Sequence, residues 1–349
     1  MTGWIDGKEA DLSAAVGAIA KALGSSRQPL IIIDAIDLAG AAAAVELARA
    51  AAGVLDHAEP TNVRLMQDQG WIGTTQGEAV LRADAVLLTG PLSPGLANDE
   101  AFRKLAERPG RALYYIGPKA TAPNIQNLSV IDSGNAPAFE TIGVLRALVA
   151  GRKVSADATL VGYAEQLKSA KYGIAAFSSG ALDELTGMAL AGLVEDLSVT
   201  TRWTALPLGT SAGQSELIRM SLALTRLPPP LSFAKAVAQH DPWLYGASNI
   251  LRRGESDVVV WVAASERPVP DWVNKAPRIA VISSHRQPLR GAGVQIETGV
   301  AGVDHAAIIE PAELGAFAAL TPAKQSSRPS AASVLRAITS EFAAKEARA

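Results

Sequence analysis

The segment Gly209-Thr210-Ser211-Ala212-Gly213 has the clearest catalytic pattern in the chain, because it matches the G-x-S-x-G sequence of serine hydrolases. In those enzymes a sharp turn between a strand and a helix exposes the nucleophilic serine. An acidic residue and a histidine must follow along the chain, and the candidates are Asp257, Asp271, His285 and His305. Glycine- and serine-rich turns are also common at this position in other α/β proteins. A structural loop is therefore the favoured interpretation, and a serine hydrolase using Ser211 is the alternative.

The chain contains four histidines as candidate metal ligands and no cysteine. The histidines are His57, His240, His285 and His305. None lies three or four residues from another, the spacing that places two ligands on one helix face. We therefore expect structural or surface histidines and no metal site, with convergence of distant histidines as the alternative. Without cysteine, disulfides, thiolate-bound zinc, Fe–S clusters and cysteine nucleophiles are excluded.

Composition predicts a globular protein with two domains. The chain has 349 residues, of which 48% are hydrophobic and 19% charged. A net charge of −2 gives no indication of nucleic acid or an anionic membrane as a partner. The N-terminus lacks a signal-peptide pattern, and no apolar run approaches the ~20 residues of a membrane-spanning helix. We therefore expect a cytoplasmic protein.

Strands and helices alternate along the chain. Short apolar runs predict strands over 29–34, 85–89, 112–116, 128–132, 172–177, 199–207, 257–263 and 278–283. Helical periodicity predicts helices over 11–24, 37–52, 98–107, 137–150, 182–196, 215–225, 245–252 and 331–347. This alternation is typical of βαβ units with mostly parallel sheets.

A polar stretch at 151–155 interrupts this alternation and suggests a domain boundary. We therefore predict a first α/β domain at 1–152, a second at 153–320, and a linker with a C-terminal helix at 321–349. The predicted fold class is α/β, with two three-layer α/β/α Rossmann-like domains.

Two consecutive segments resemble a known family: residues 66–78 (MQDQGWIGTTQGE) and 82–91 (RADAVLLTGP). They are similar to the B subunit of formylmethanofuran dehydrogenase, a molybdopterin oxidoreductase. The resemblance extends over most of the chain, through 167–173, 249–263 and 279–310. These are packing and loop motifs, so they imply the fold more strongly than any catalytic step.

The departures from that family are specific. Its catalytic members carry a cysteine-rich N-terminal segment for a [4Fe–4S] cluster, and a cysteine or selenocysteine that binds molybdenum or tungsten. The corresponding stretch here, residues 56–62 (DHAEPTN), contains no cysteine. A closing β-rich domain that clasps the pterin has no counterpart in residues 311–349. The resemblance therefore implies a degenerate, non-catalytic subunit without Fe–S cluster, metal or pterin cofactor.

The shortened pattern looks like the B subunits of the formyltransferase/hydrolase complex of methylotrophic one-carbon metabolism. That resemblance implies an amidohydrolase-like A subunit, a C subunit and a formyltransferase D subunit as partners. Such a complex transfers a formyl group from tetrahydromethanopterin to a methanofuran-like carrier and hydrolyses it to formate. A binding role is the further alternative, with the carrier or another anion held in a relict pterin cleft. The candidates for that cleft are His57, Asn62, Arg64 and Gln67.

Overall fold

A computed structural model describes residues 3–58, 72–92, 96, 100–178, 182–208, 213–235, 237–265, 267–274, 278–311 and 314–346. The chain forms two compact units. Unit 1 comprises Met1–Glu59, Ser211–Glu310 and Phe317–Ala349, and unit 2 comprises Pro60–Thr210 and Pro311–Ala316.

The elements follow in chain order. The helices are α1 Leu12–Gly24, α2 Leu38–Ala50, α3 Gln76–Arg82, α4 Glu100–Ala106, α5 Ala138–Val149, α6 Ala158–Ser169, α7 Glu184–Ser198, α8 Gln214–Thr225, α9 Pro242–Tyr245, α10 Ala247–Arg253 and α11 Ala331–Glu346. The strands are β1 Gly3–Ile5, β2 Lys8–Ala10, β3 Pro29–Ala35, β4 Val54–His57, β5 Ala85–Thr89, β6 Ala112–Gly117, β7 Leu128–Asp132, β8 Tyr172–Ser178, β9 Arg202–Leu208, β10 Leu231–Ser232, β11 Gln239–His240, β12 Val258–Ala263, β13 Ile279–Ser283, β14 Val294–Glu297, β15 Ala307–Ile309 and β16 Ala318–Leu320.

Unit 1 is built on a sheet whose order, over the described residues, is β11-β10-β4-β3-β12-β13-β14-β1-β2. The five central strands, from β4 to β14, pair in parallel, while the outer strands pair antiparallel. All seven residues of β3 are buried, because helices cover both faces of the sheet. Ile31 and Ile33 pack towards α1, α2 and α11, whereas Leu30 and Ile32 pack towards α10.

Unit 2 holds a parallel sheet of order β7-β6-β5-β8-β9 in the described part of the chain. On one face Leu87 packs with α5, α6 and α7, and on the other Val86 and Leu88 pack with α3 and α4. Each unit is therefore a three-layer α/β/α sandwich, which confirms the predicted fold class.

The division into units differs from the predicted boundaries at 152/153 and 320/321. The polar stretch 151–155 connects α5 and α6, which lie in the same helical layer of unit 2. Its polarity thus marks a surface connection. The chain leaves unit 1 after β4 and returns before α8, because β12 pairs with β3 across more than 200 residues of sequence. The final helix α11 packs into the core of unit 1 against α1 and α2, so it is part of that unit.

Candidate functional site

The carboxyl ends of the parallel strands in unit 1 meet at a change of direction in the sheet. From β3 the chain proceeds to β4 on one side, and the later strands β12, β13 and β14 lie on the other side. At such a point the connections leave in opposite directions and open a crevice, the usual ligand position in open α/β sheets. The ends of β3 and β12 therefore mark the candidate site.

Asp34, near the end of β3, anchors this edge. It is buried, and its carboxylate accepts a hydrogen bond of 3.3 Å from Trp261 Nε1 and one of 3.1 Å from Arg267 Nε. Trp261 lies in the fully buried strand β12, and Arg267 follows that strand. The charged pair is thus fixed against the sheet by an indole group from the neighbouring strand.

A cleft of about 580 Å³ is lined by Arg267, Pro268, Ser284, His285 and Arg286. The last three residues follow β13. The rings of His285 and Trp261 lie 6.1 Å apart, inclined at 45°. Ser284 Oγ and His285 Nδ1 are buried and have no hydrogen-bond partner among the described residues. The cleft therefore combines cationic side chains with polar atoms whose bonding capacity is unused.

His57, a predicted cleft residue, ends β4 at the same edge, and its side chain is buried at 2% exposure. The preceding Asp56 accepts hydrogen bonds from the backbone N–H groups of His57 (2.8 Å) and Ala247 (2.7 Å). Burial raises the pKa of Asp56 to about 7. Since Ala247 is the first residue of α10, this carboxyl caps the helix that covers the sheet. Asn62, Arg64 and Gln67 lie outside the described residues, so the relict cleft stays a prediction.

The serine hydrolase hypothesis loses most of its predicted partners. Asp257 precedes β12 and binds Ser26 and the backbone N–H of Arg27, at the amino end of the sheet. His285 follows β13 at the carboxyl end, so these two residues lie at opposite ends of parallel strands. Asp271 begins a short 3-10 helix, Asp271–Asn274, with no recorded bond to a histidine in the described part of the chain.

The remaining parts of the hydrolase hypothesis are His305 and the G-x-S-x-G segment. The first has a structural explanation, and the second lies partly outside the described residues. His305 Nε2 lies 3.6 Å from Asp37 Oδ2, a carboxylate that also accepts from the backbone of Gly40 to cap α2. Gly213 has a φ of +91°, and a Cβ there would lie 2.4 Å from the backbone nitrogen of Ile36. Packing alone therefore explains this glycine. Ser211 itself lies outside the described residues.

Metal ligands are not assembled in the described residues, where no three His, Cys, Asp or Glu side chains are arranged to hold an ion. His240 Nδ1 lies 3.0 Å from the carbonyl of Pro230, a structural contact. Since the chain contains no cysteine, its donor set does not fit a thiolate-bound [4Fe–4S] cluster, molybdenum or tungsten. No helix in the described ranges is long and apolar enough to cross a membrane.

Asp34, Arg267 and Arg286 were not predicted as site residues from the sequence. Each lies at or just beyond the end of a strand that was predicted from its buried apolar run. Charged residues directly after buried parallel strands are the signal that could have identified them, because those ends converge at one edge of the sheet. Thr75 accepts from the backbone N–H of Glu78 at 3.1 Å and caps the start of α3.

The comparisons with known proteins agree on one complex. No protein-family profile matches the chain. The B subunit of the formyltransferase/hydrolase complex Fhc of Methylorubrum extorquens is 28% identical over 314 residues, which span 86% of each chain. The chain is related to the B subunit of that complex. This relationship confirms the resemblance predicted from the sequence.

A solved structure extends this comparison. It is the crystal structure of the formyltransferase/hydrolase complex (FhcABCD) from Methylorubrum extorquens in complex with methylofuran. One chain of it matches with a TM-score of 0.86 and 24% identity, over 99% of both chains. This likeness shows that the two-unit fold described above is shared along the whole length.

Proposed function

We propose that the chain is the B subunit of a formyltransferase/hydrolase complex and contributes to its assembly without catalysing a step. Its partners are an amidohydrolase-like A subunit, a C subunit and a formyltransferase D subunit, and the assembly is cytoplasmic. The observation that carries the proposal is the similarity to the Fhc B subunit over 86% of the chain.

Two features support the non-catalytic part of the proposal. The chain lacks every thiolate that the related oxidoreductases use for their redox centres. Within unit 1, the acids and histidines predicted for a hydrolase are separated or engaged in structural contacts, as with Asp257 and His305. Both features favour a chain that carries out neither redox nor acyl-transfer chemistry itself.

Co-expression with the A, C and D subunits of the same genome tests the assembly role. The chain is expected to elute from size-exclusion chromatography with the other three as one species. Leaving out the chain is expected to reduce the yield of assembled complex. Assembly of A, C and D without the chain, with the chain eluting alone, would overturn the proposal.

The assembled complex tests the absence of a catalytic role. Ser211→Ala should leave the rate of formate release unchanged, and elemental analysis of the purified chain should find no molybdenum, tungsten or iron. A loss of tenfold or more in Ser211→Ala, or metal in stoichiometric amount, would contradict the non-catalytic assignment. Cell fractionation tests the location, and recovery with membranes or periplasm would contradict it.

A further inference from the structure

We propose that the cleft at the ends of β12 and β13 in unit 1 is a binding site for an oxyanion, a phosphate or carboxylate group. The proposal is independent of the assembly role, since it rests on the chain's own side chains. It assigns the site to Arg267, Ser284, His285 and Arg286, which line the cleft.

The charge of the lining favours an anion. Among the described residues that line the cleft, two are arginines and one is a histidine, and none of them is acidic. Asp34 forms an ion pair with Arg267, so part of that arginine's charge is neutralised. Arg286 is exposed, and no ion pair is recorded for it among the described residues. Its guanidinium is the free donor suited to bidentate recognition of a phosphate or carboxylate.

The loop after β13, which carries Ser284, His285 and Arg286, is held in place before any ligand arrives. Gln295, on β14 and only 1% exposed, donates from Nε2 to the carbonyls of His285 (3.3 Å) and Gln287 (2.9 Å). Its Oε1 accepts from the backbone N–H of Leu289 at 2.7 Å. A buried amide thus fixes three points of the loop, which reduces the entropy lost when a ligand binds.

The unused polar atoms of the cleft also point to a ligand. Buried polar atoms are rarely left without a partner, because an unsatisfied hydroxyl or imidazole nitrogen destabilises the folded state. Ser284 Oγ and His285 Nδ1 are both in that state in the described structure. A hydroxyl can rotate to donate to an anion, and an imidazole ring nitrogen that carries a hydrogen can donate as well. Two such atoms beside Arg286 match the donors that an oxyanion requires.

Titration of the full chain with inorganic phosphate and with citrate, at constant ionic strength in chloride buffer, tests the site. Isothermal titration calorimetry should show one site per chain for at least one probe, and the imidazole NMR signals of His285 should shift with the same dissociation constant. Binding of phosphate alone indicates a phosphate ester, and binding of citrate alone indicates a polycarboxylate.

Arg290 provides a matched control, since it is an exposed arginine four residues further along the same loop and does not line the cleft. Arg286→Ala should weaken binding at least tenfold and remove the His285 shift, whereas Arg290→Ala should change it less than twofold. Ser284→Ala, which removes only a hydroxyl, should weaken binding severalfold. No saturable binding of either probe, or equal losses in Arg286→Ala and Arg290→Ala, would overturn the proposal.

Discussion

Two depressions lined by arginine, one in each unit, show opposite uses of the same side chain. The cleft of unit 1 lies at the carboxyl ends of its strands and includes Arg286. A pocket of about 390 Å³ in unit 2 is lined by residues between 102 and 127 and includes Arg108 and Arg111, just before β6 at the amino end of the sheet. The two depressions differ in whether the guanidinium N–H groups already donate hydrogen bonds within the protein.

The guanidinium of Arg111 is used entirely inside the protein. It donates to backbone carbonyls near the ends of α3 and α4, namely those of Ala79 (3.3 Å), Val80 (2.8 Å), Ala83 (2.7 Å), Lys104 (3.4 Å) and Leu105. Burial lowers the pKa of Arg111 to about 10, so the group stays charged at neutral pH. The last carbonyls of a helix have no intrahelical donor, and Arg111 supplies donors for two helices at once. An arginine-lined pocket therefore indicates a ligand only where the donors are not already engaged.

The largest expected effect follows from removing these donors. Arg111→Met keeps much of the apolar stem but leaves buried carbonyls unsatisfied, so the free energy of unfolding should fall by about 3 kcal/mol. Urea denaturation followed by circular dichroism measures this. Arg108→Met, which removes an exposed arginine bonded to Val80 and Leu81, is the control and should cost less than about 1 kcal/mol. Equal effects of the two substitutions would refute the capping role of Arg111.

The buried pair in unit 1 should have the next largest effect. Asp34→Asn removes the carboxylate charge that faces Arg267 Nε, and the free energy of unfolding should fall by about 2 kcal/mol. A double-mutant cycle with Arg267→Met should give a coupling energy of about 1–2 kcal/mol. If the two substitutions were additive, Asp34 would not hold Arg267 at the cleft.

Asp56 allows a test of pH dependence at the same sheet edge. Its pKa is about 7 in the folded chain against about 4 when unfolded. Between these values the folded state keeps a proton that the unfolded state has released. The stability from this group is therefore full below pH about 4 and is lost as pH rises to about 7, by at most about 1.4 kcal/mol per pH unit. Asp56→Asn should remove this slope in urea denaturation at pH 4.5, 5.5, 6.5 and 7.5. If the free energies of unfolding of the unsubstituted chain and of Asp56→Asn differed by the same amount at all four pH values, this prediction would be contradicted.

The sequence predicted the long elements well because their signals are local. The seven buried residues of β3 and the periodicity of α1 need no knowledge of the fold. Strands of two or three residues, such as β10 and β1, were missed because they are too short to show a period. The division into units was missed because the pairing of β12 with β3 joins distant segments and leaves no local trace.

The candidate site was harder to predict for the same reason. Asp34 and Arg267 are separated by 233 positions, and only the fold brings them into contact. His285 was singled out as a histidine that could serve a hydrolase, yet the structure places it in a cationic cleft. Residue type alone therefore identified one member of the site. The arrangement of parallel strands was needed to connect it with the arginines.

Substitution of Arg286 should have the smallest effect on the free energy of unfolding, in contrast to substitution of Arg111. Arg286 is exposed and has no recorded ion pair in the described part of the chain, so its donors satisfy nothing in the folded protein. Arg286→Met should therefore change the free energy of unfolding by no more than about 0.5 kcal/mol in urea denaturation. The same substitution at Arg111 should cost several times more, although both arginines line a depression. A loss of about 2 kcal/mol at Arg286 would show that it supports the loop, and would remove the distinction between a structural and a ligand-binding arginine.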